Sequence, residues 1–194
     1  EQCLESDIIP WERSIMPSNS KLTAVILAAG AGTRMKSDGA KVLFPICGRP
    51  MIEYILDAAL AAKPQTIVVV VGHKGQEVCQ GIKDRWAKGL NDDINLEFAW
   101  QIEQRGTGHA AACAQNYISN DSDCVMILCG DTPLVAGEML NQFLQFHTSK
   151  KADLSFITTI VDDAGAYGRV RRAANGKVLK IVEANDLLPA DEPI

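Results

Sequence analysis

The sequence predicts an α/β protein of three layers, with helices on both faces of a mostly parallel mixed sheet and a β-hairpin late in the chain. Three observations carry this. Strand-like and helix-like stretches alternate along most of the chain, the order that yields parallel strands joined by helices. Several strands are short, near-continuous apolar runs, as expected where both faces of a strand are covered. The alternation then breaks after residue 161, where two short stretches flank Ala174-Asn-Gly176, a turn signal.

The elements follow in order. Thr23-Ala-Val-Ile-Leu27 is an apolar strand, and a glycine-rich turn follows it. Residues 50–62 read as a helix, with Pro50 in the first turn and Ile52, Ile55, Leu56, Ala59 and Leu60 in one apolar stripe. Thr66-Ile-Val-Val-Val-Val71 is a doubly buried strand, and residues 75–83, or slightly more, form the next helix. Residues 94–100 alternate as a third strand, and the alanine-rich residues 107–117 are helical, with Thr107 as N-cap. Cys124-Val-Met-Ile-Leu-Cys129 is a further buried strand; residues 136–148 form a helix with Met139, Phe143 and Phe146 on one side. Residues 153–161 are expected as a fifth strand, and residues 168–172 and 177–183 as the arms of the hairpin. Residues 1–20 are set apart by composition as a peripheral or mobile arm, leaving residues 21–194 as the folded domain.

Composition narrows the function classes. The chain has 194 residues, 47% hydrophobic and 22% charged, which suits one globular domain. Its net charge of −5 argues against a general nucleic-acid binder, which carries a basic face. No apolar run reaches bilayer-spanning length and residues 1–20 contain no signal-like stretch, so no membrane role is expected and the cytoplasm is the default location. The six cysteines include no Cys-x-x-Cys pair, which disfavours structural zinc; Cys113, Cys124 and Cys129 sit in apolar stretches and read as reduced core thiols.

The turn after the first strand, Gly30-Ala-Gly-Thr-Arg-Met35, permits several backbone N–H groups to converge on phosphate oxygens. It is neither of two familiar phosphate loops: Met35 stands where a dinucleotide fingerprint wants glycine, and no Gly-Lys-Ser/Thr is present. Alone, the turn is equally compatible with a plain strand-to-helix connection.

A longer series of motifs extends that reading. Leu27-Ala-Ala-Gly-Ala-Gly-Thr-Arg-Met35 is followed by Lys41-Val-Leu43, Gly48-Arg-Pro-Met51, Val70-Val-Gly-His73, Gln101-Ile-Glu-Gln-Arg-Gly-Thr-Gly-His-Ala110, Gly130-Asp-Thr-Pro-Leu134, Tyr167-Gly-Arg169 and Ile181-Val-Glu183. Together they resemble the sugar-1-phosphate nucleotidyltransferase family, and within it the uridylyltransferases acting on N-acetylglucosamine 1-phosphate, over residues 22–188. The resemblance implies a Rossmann-like, GT-A-like fold and a cytoplasmic enzyme of cell-wall (peptidoglycan) biogenesis. It would join UTP and a sugar 1-phosphate into a UDP-sugar and pyrophosphate with Mg²⁺ as cofactor.

Roles follow position by position. Leu27, Ala28, Ala29, Gly30, Ala31, Gly32 and Thr33 would hold nucleotide and phosphates, with Arg34 and Lys41 as catalytic cations against the triphosphate. Gln101 would read the uracil edge, supported by Gln104, while Gly106 and Thr107 bring backbone against the base. Asp131 would hold Mg²⁺, Gly168 and Glu183 would bind the sugar, and His109 reads as a packing or hydrogen-bonding residue.

Two departures are local: Ala31 stands where the family often carries lysine, and Gly39-Ala40 precede Lys41 where proline is usual. Family members also extend further, to a sugar-contacting asparagine, a second metal ligand and often a trimerising β-helix domain. The sequence is therefore expected to be a nucleotidyltransferase domain truncated at its C-terminus and without that β-helix. A transferase for another sugar or nucleotide, and a non-catalytic nucleotide-sugar binder, stay open on sequence alone.

Overall fold

The computed structural model describes residues 21–30, 32, 39–86 and 94–187, so the expected arm over residues 1–20 lies outside the described residues. The chain divides into two compact units with the boundary between Leu154 and Ser155.

In the first unit the chain runs through β1 (Leu22–Ala28), a 3₁₀ turn (Lys41–Leu43), the short strands β2 (Pro45–Ile46) and β3 (Arg49–Pro50), α1 (Met51–Ala61), β4 (Thr66–Val71), α2 (Gly75–Trp86), β5 (Asn95–Trp100), α3 (Thr107–Cys113), β6 (Cys124–Cys129) and α4 (Gly137–Ser149). The main sheet has the order β5-β4-β1-β6 and is parallel throughout. The chain therefore winds outward from β1 to β5 and returns to the other side of β1. Because βαβ crossovers share one handedness, outward and return connections place their helices on opposite faces. That is observed: Ile26 and Val69 face a core built with Ile52 and Ile55 of α1, Val78 and Ile82 of α2 and Leu140 of α4. Val25, Val68 and Val70 face the other way, toward Ala110 of α3 and Ala114. This is the three-layer, Rossmann-like arrangement, and it explains why β1 and β4 read as continuous apolar runs. Burying a side chain such as Ile52 or Ile55, both at 0% exposure, stabilises by about 1.5–3 kcal/mol each.

The register levels the carboxyl ends of the four strands: Leu27 lies against both Val70 and Cys129, and Val71 lies against Trp100. The residues after each strand, Ala29, Gly72, Gln101 and Gly130, therefore meet at one edge. Strand order reverses at the β1/β6 junction, the place in an open α/β sheet where a crevice forms.

Several expectations need correction. Cys124–Cys129 is a strand but not a doubly buried one: Met126 and Leu128 are buried while Val125 and Ile127 are exposed. Cys129 is likewise exposed, and Cys113 and Cys124 are half-buried, so these thiols are not full core residues. The helix over residues 136–148 buries Leu140 and Leu144, whereas Met139 and Phe146 are exposed; the two leucines face α1 and the aromatic side points away. Pro50 is the N-cap of α1, one position before its first turn.

The second unit begins with residues 155–161, which pair in no ladder, so the expected fifth strand is not formed. Ile157 and Ile160 are exposed there. A β-branched run supplies propensity, but a strand exists only once another edge pairs with it. β7 (Arg169–Arg172) and β8 (Val178–Val182) then form the expected hairpin as its own antiparallel sheet, with a register shift between Arg171 and Arg172. The antiparallel pairing thus belongs to a separate two-stranded sheet, while the four-stranded sheet is purely parallel.

Candidate functional site

The crevice at the reversal point is a cleft of about 410 Å³ in the first unit. Its floor is the end of β1, Leu27 to Ala29, with Gly30 beyond. One wall is Lys41 and Val42 with Cys129 and Asp131; the other is Gln101, Gln104, Gly106, Thr107 and Ala110.

Lys41 opens the 3₁₀ turn, and the next residue, Val42, is buried in the core, so the lysine stem starts from a fixed point. Its Nζ donates to Asp131 Oδ2 at 2.6 Å. Asp131 lies two residues beyond the end of β6. A Cβ at Gly130 would stand 2.9 Å from the Leu27 carbonyl oxygen, so only glycine allows β6 to leave the sheet this close to β1. Thr132 then closes the turn, its hydroxyl donating to the Cys129 carbonyl at 2.7 Å. Neither Asp131 nor Thr132 caps a helix here, since α4 starts only at Gly137.

Gly32 sits at φ +60° against the Lys41 stem, and a Cβ there would lie 2.7 Å from Lys41 Cβ. Gly32 and the lysine stem are therefore packed directly against each other.

Gln101 follows β5 directly and is 5% exposed, with its backbone N–H donating to the Val71 carbonyl at 2.8 Å. Its amide nitrogen lies 3.1 Å from the Gly106 carbonyl oxygen and 3.2 Å from His109 Nδ1. Gln104 donates to the Ala29 carbonyl at 2.8 Å, tying the β5–α3 loop to the end of β1. Gly106, at φ +94°, is the N-cap of α3 and no side chain caps it; Thr107 is the first helical residue and not the expected cap.

Cys129, Val42 and Ala110 line the cleft without having been read from the sequence as site residues. For Cys129 a signal existed, since it ends a strand one residue before Gly130-Asp131. Although the residue as a whole is exposed, desolvation of its sulfur and the nearby Asp131 raise the thiol above its ordinary value, with Lys41 opposing. It stands in the wall as a neutral SH.

Residues 23–187 match the nucleotidyl transferase family. The chain belongs to that family. It is 46% identical over 170 residues to the bifunctional protein GlmU of Pelobacter propionicus, covering 88% of this chain and 35% of that protein. It is 40% identical over 166 residues to the bifunctional protein GlmU of Bacillus subtilis, covering 86% and 34%. The chain thus spans about a third of the length of these relatives. Among solved structures it is similar to HddC of Yersinia pseudotuberculosis, with TM-score 0.66, 24% identity and coverage of 83% and 68%. It is also similar to 4-diphosphocytidyl-2C-methyl-D-erythritol synthase of Anaerococcus prevotii, with TM-score 0.59, 17% identity and coverage of 86% and 66%. These two likenesses bear on the fold alone. With such relatives, the non-catalytic reading left open by the sequence is not favoured.

For a nucleotidyl transferase the sequence-derived residues are placed as follows. Leu27, Ala28, Ala29, Gly30, Lys41, Gln101, Gln104, Gly106, Thr107 and Asp131 all line the one cleft, and Gly32 packs on Lys41. Ala31, Thr33 and Arg34 lie outside the described residues. Gly168 and Glu183 belong to the second unit and adjoin each other: a Cβ at Gly168 would lie 3.6 Å from Glu183 Oε2. Among the described residues, no helix is long and apolar enough to cross a membrane.

Proposed function

We propose that this domain transfers a uridylyl group from UTP to N-acetylglucosamine 1-phosphate, giving UDP-N-acetylglucosamine and pyrophosphate. One observation carries the reading: a single cleft joins the Lys41–Asp131 pair, the backbone at the end of β1 and the amide of Gln101. It therefore offers a cation for phosphates and a carboxylate for a metal ion next to a buried polar reader for a base.

A phosphate oxygen of the sugar phosphate attacks the α-phosphorus of UTP as the bond to pyrophosphate breaks, so no covalent enzyme intermediate is required. Positioning and charge neutralisation are then the main contributions of the protein. Lys41 would turn from Asp131 to the triphosphate, and Arg34 would add a second positive charge. Asp131 suits Mg²⁺, because its carboxylate is 40% exposed to the cleft and magnesium favours one or two carboxylates with phosphate oxygens and water. Bound there, Mg²⁺ would supply positive charge against the phosphate oxygens. Gly168 and Glu183 are proposed to meet the sugar hydroxyls, in a cytoplasmic enzyme whose product feeds peptidoglycan synthesis.

The test is pyrophosphate release from four nucleoside triphosphates, each paired with several sugar 1-phosphates, with and without Mg²⁺. Release is expected with UTP, N-acetylglucosamine 1-phosphate and Mg²⁺ together. Equal rates across the four bases would remove the uracil assignment, and full activity in Asp131→Ala would remove the metal role.

A further inference from the structure

We infer that His109, on α3, sets base selectivity by fixing the amide of Gln101 as an acceptor-only reader. The inference rests on the uracil reading above and adds to it the group that makes Gln101 selective. A glutamine amide is two-faced, with one carbonyl oxygen and two N–H donors, and a freely turning amide serves any base edge. Here both donors are committed. Gly106's carbonyl can only accept, and it also receives the Ala110 N–H at 3.1 Å, so the amide nitrogen of Gln101 and not its oxygen must face it at 3.1 Å.

The second donor then points at His109 Nδ1, 3.2 Å away. For that bond to form, Nδ1 must be the bare nitrogen and the proton must sit on Nε2. Nε2 faces Cys113 Sγ at 4.0 Å, a weak acceptor one helical turn further on. One hydrogen bond to Gly106 would leave the amide free to pivot about it. Two bonds from the same NH₂ fix both the end and the plane. What remains for a ligand is Oε1, an acceptor. At ring position 3 uracil presents N–H to such an acceptor, whereas cytosine presents a lone pair there and can donate only from its exocyclic N4 amino group, displaced from that position.

His109 is thus a positioning residue, and its effect is read in selectivity. Calorimetric titration with UTP and with CTP gives the ratio of the two dissociation constants for the unaltered protein, His109→Leu, His109→Asn and Gln101→Leu. The expected result is a UTP preference that falls about tenfold in His109→Leu, the loss of roughly one hydrogen bond, and returns in His109→Asn, whose amide oxygen can replace Nδ1. Gln101→Leu should lose the preference altogether. A His109→Leu protein that keeps its full preference while Gln101→Leu loses it would overturn the role of His109 and leave Gln101 as the reader. No preference in the unaltered protein, or one that survives Gln101→Leu, would overturn the uracil reading and this inference with it. An independent check needs no variant to fold: ¹⁵N NMR of the three histidines should show His109 protonated at Nε2. Protonation at Nδ1 would refute the inference by itself.

Discussion

Changing Gly32 to alanine probes the packing between the loop and Lys41. The added Cβ would lie 2.7 Å from Lys41 Cβ, with Cγ at 3.4 Å and Cδ at 3.5 Å. Carbon atoms rest at about 3.5–4.0 Å, so the two stems must part by about 1 Å. Lys41 cannot swing away freely, because Val42 beside it is 5% exposed in the core and its Nζ is held on Asp131. The backbone adds a cost, since φ +60° is left-handed and disfavours an L side chain by about 1–2 kcal/mol. Against this, alanine reduces the freedom of the unfolded chain, worth about 0.4–1 kcal/mol in favour of folding. With the clash included, a net loss of about 1–2 kcal/mol remains, or about 2–8 °C in Tm for a domain of this size. A shift of about 1 Å in a charge-positioning group can cost up to about 100-fold in kcat/KM.

Gly30→Ala is the control. Among the described residues nothing lies within 4 Å of its added Cβ, and its φ is not positive, so only the unfolded-state term applies and Tm should stay level or rise slightly. Differential scanning calorimetry and pyrophosphate release on both variants complete the test. If Gly32→Ala moves Tm in the same direction as Gly30→Ala and keeps kcat/KM within twofold, the loop does not set the position of Lys41.

Three further outcomes are expected. Asp131→Asn and Lys41→Met should each lower kcat/KM by about 100-fold or more. Their Tm should move by only a few degrees, since the pair is 33% and 40% exposed and such pairs contribute about 0–1 kcal/mol; a collapse in Tm would refute that separation. Ile55→Ala, at a fully buried position facing the sheet, should cost about 2–5 kcal/mol in urea unfolding, and a loss under about 1 kcal/mol would mean α1 is not docked as described. Desolvation raises the thiols of Cys79, Cys124 and Cys129 above the ordinary 9.0, so the folded state holds these protons to higher pH than the unfolded chain. Their contribution is complete below the unfolded value and is lost as pH rises through the folded one. Urea midpoints should therefore fall on going alkaline, and less steeply in Cys124→Ala; an unchanged slope would refute the burial of that sulfur.

Much of the site was legible because its parts follow strands. A strand long enough to read, such as Thr66–Val71, announces where its carboxyl end lies, and the polar residue just beyond must then stand at the sheet edge. The glycine loop after β1 was found on that logic, whereas the roles of Asp131 and Gln101 followed from the resemblance of their motifs to the nucleotidyltransferase family. His109 was harder to value. Its spacing from Gln101 is local, but its effect depends on a turn at Gly106 that brings the amide and the imidazole together.

The sequence by itself determined the helices, the parallel strands and the hairpin turn, because apolar period, proline and glycine act over a few residues. Its resemblance to the nucleotidyltransferase family also named most of the residues that line the cleft. Only the tertiary structure decided which strand faces are covered, as at β6, where Met126 is buried and Ile127 is not. It alone showed that residues 153–161 form no strand, and that Lys41 pairs with Asp131 across 90 residues of chain. Those outcomes depend on which distant segments arrive beside one another, and local composition contains no record of the neighbour.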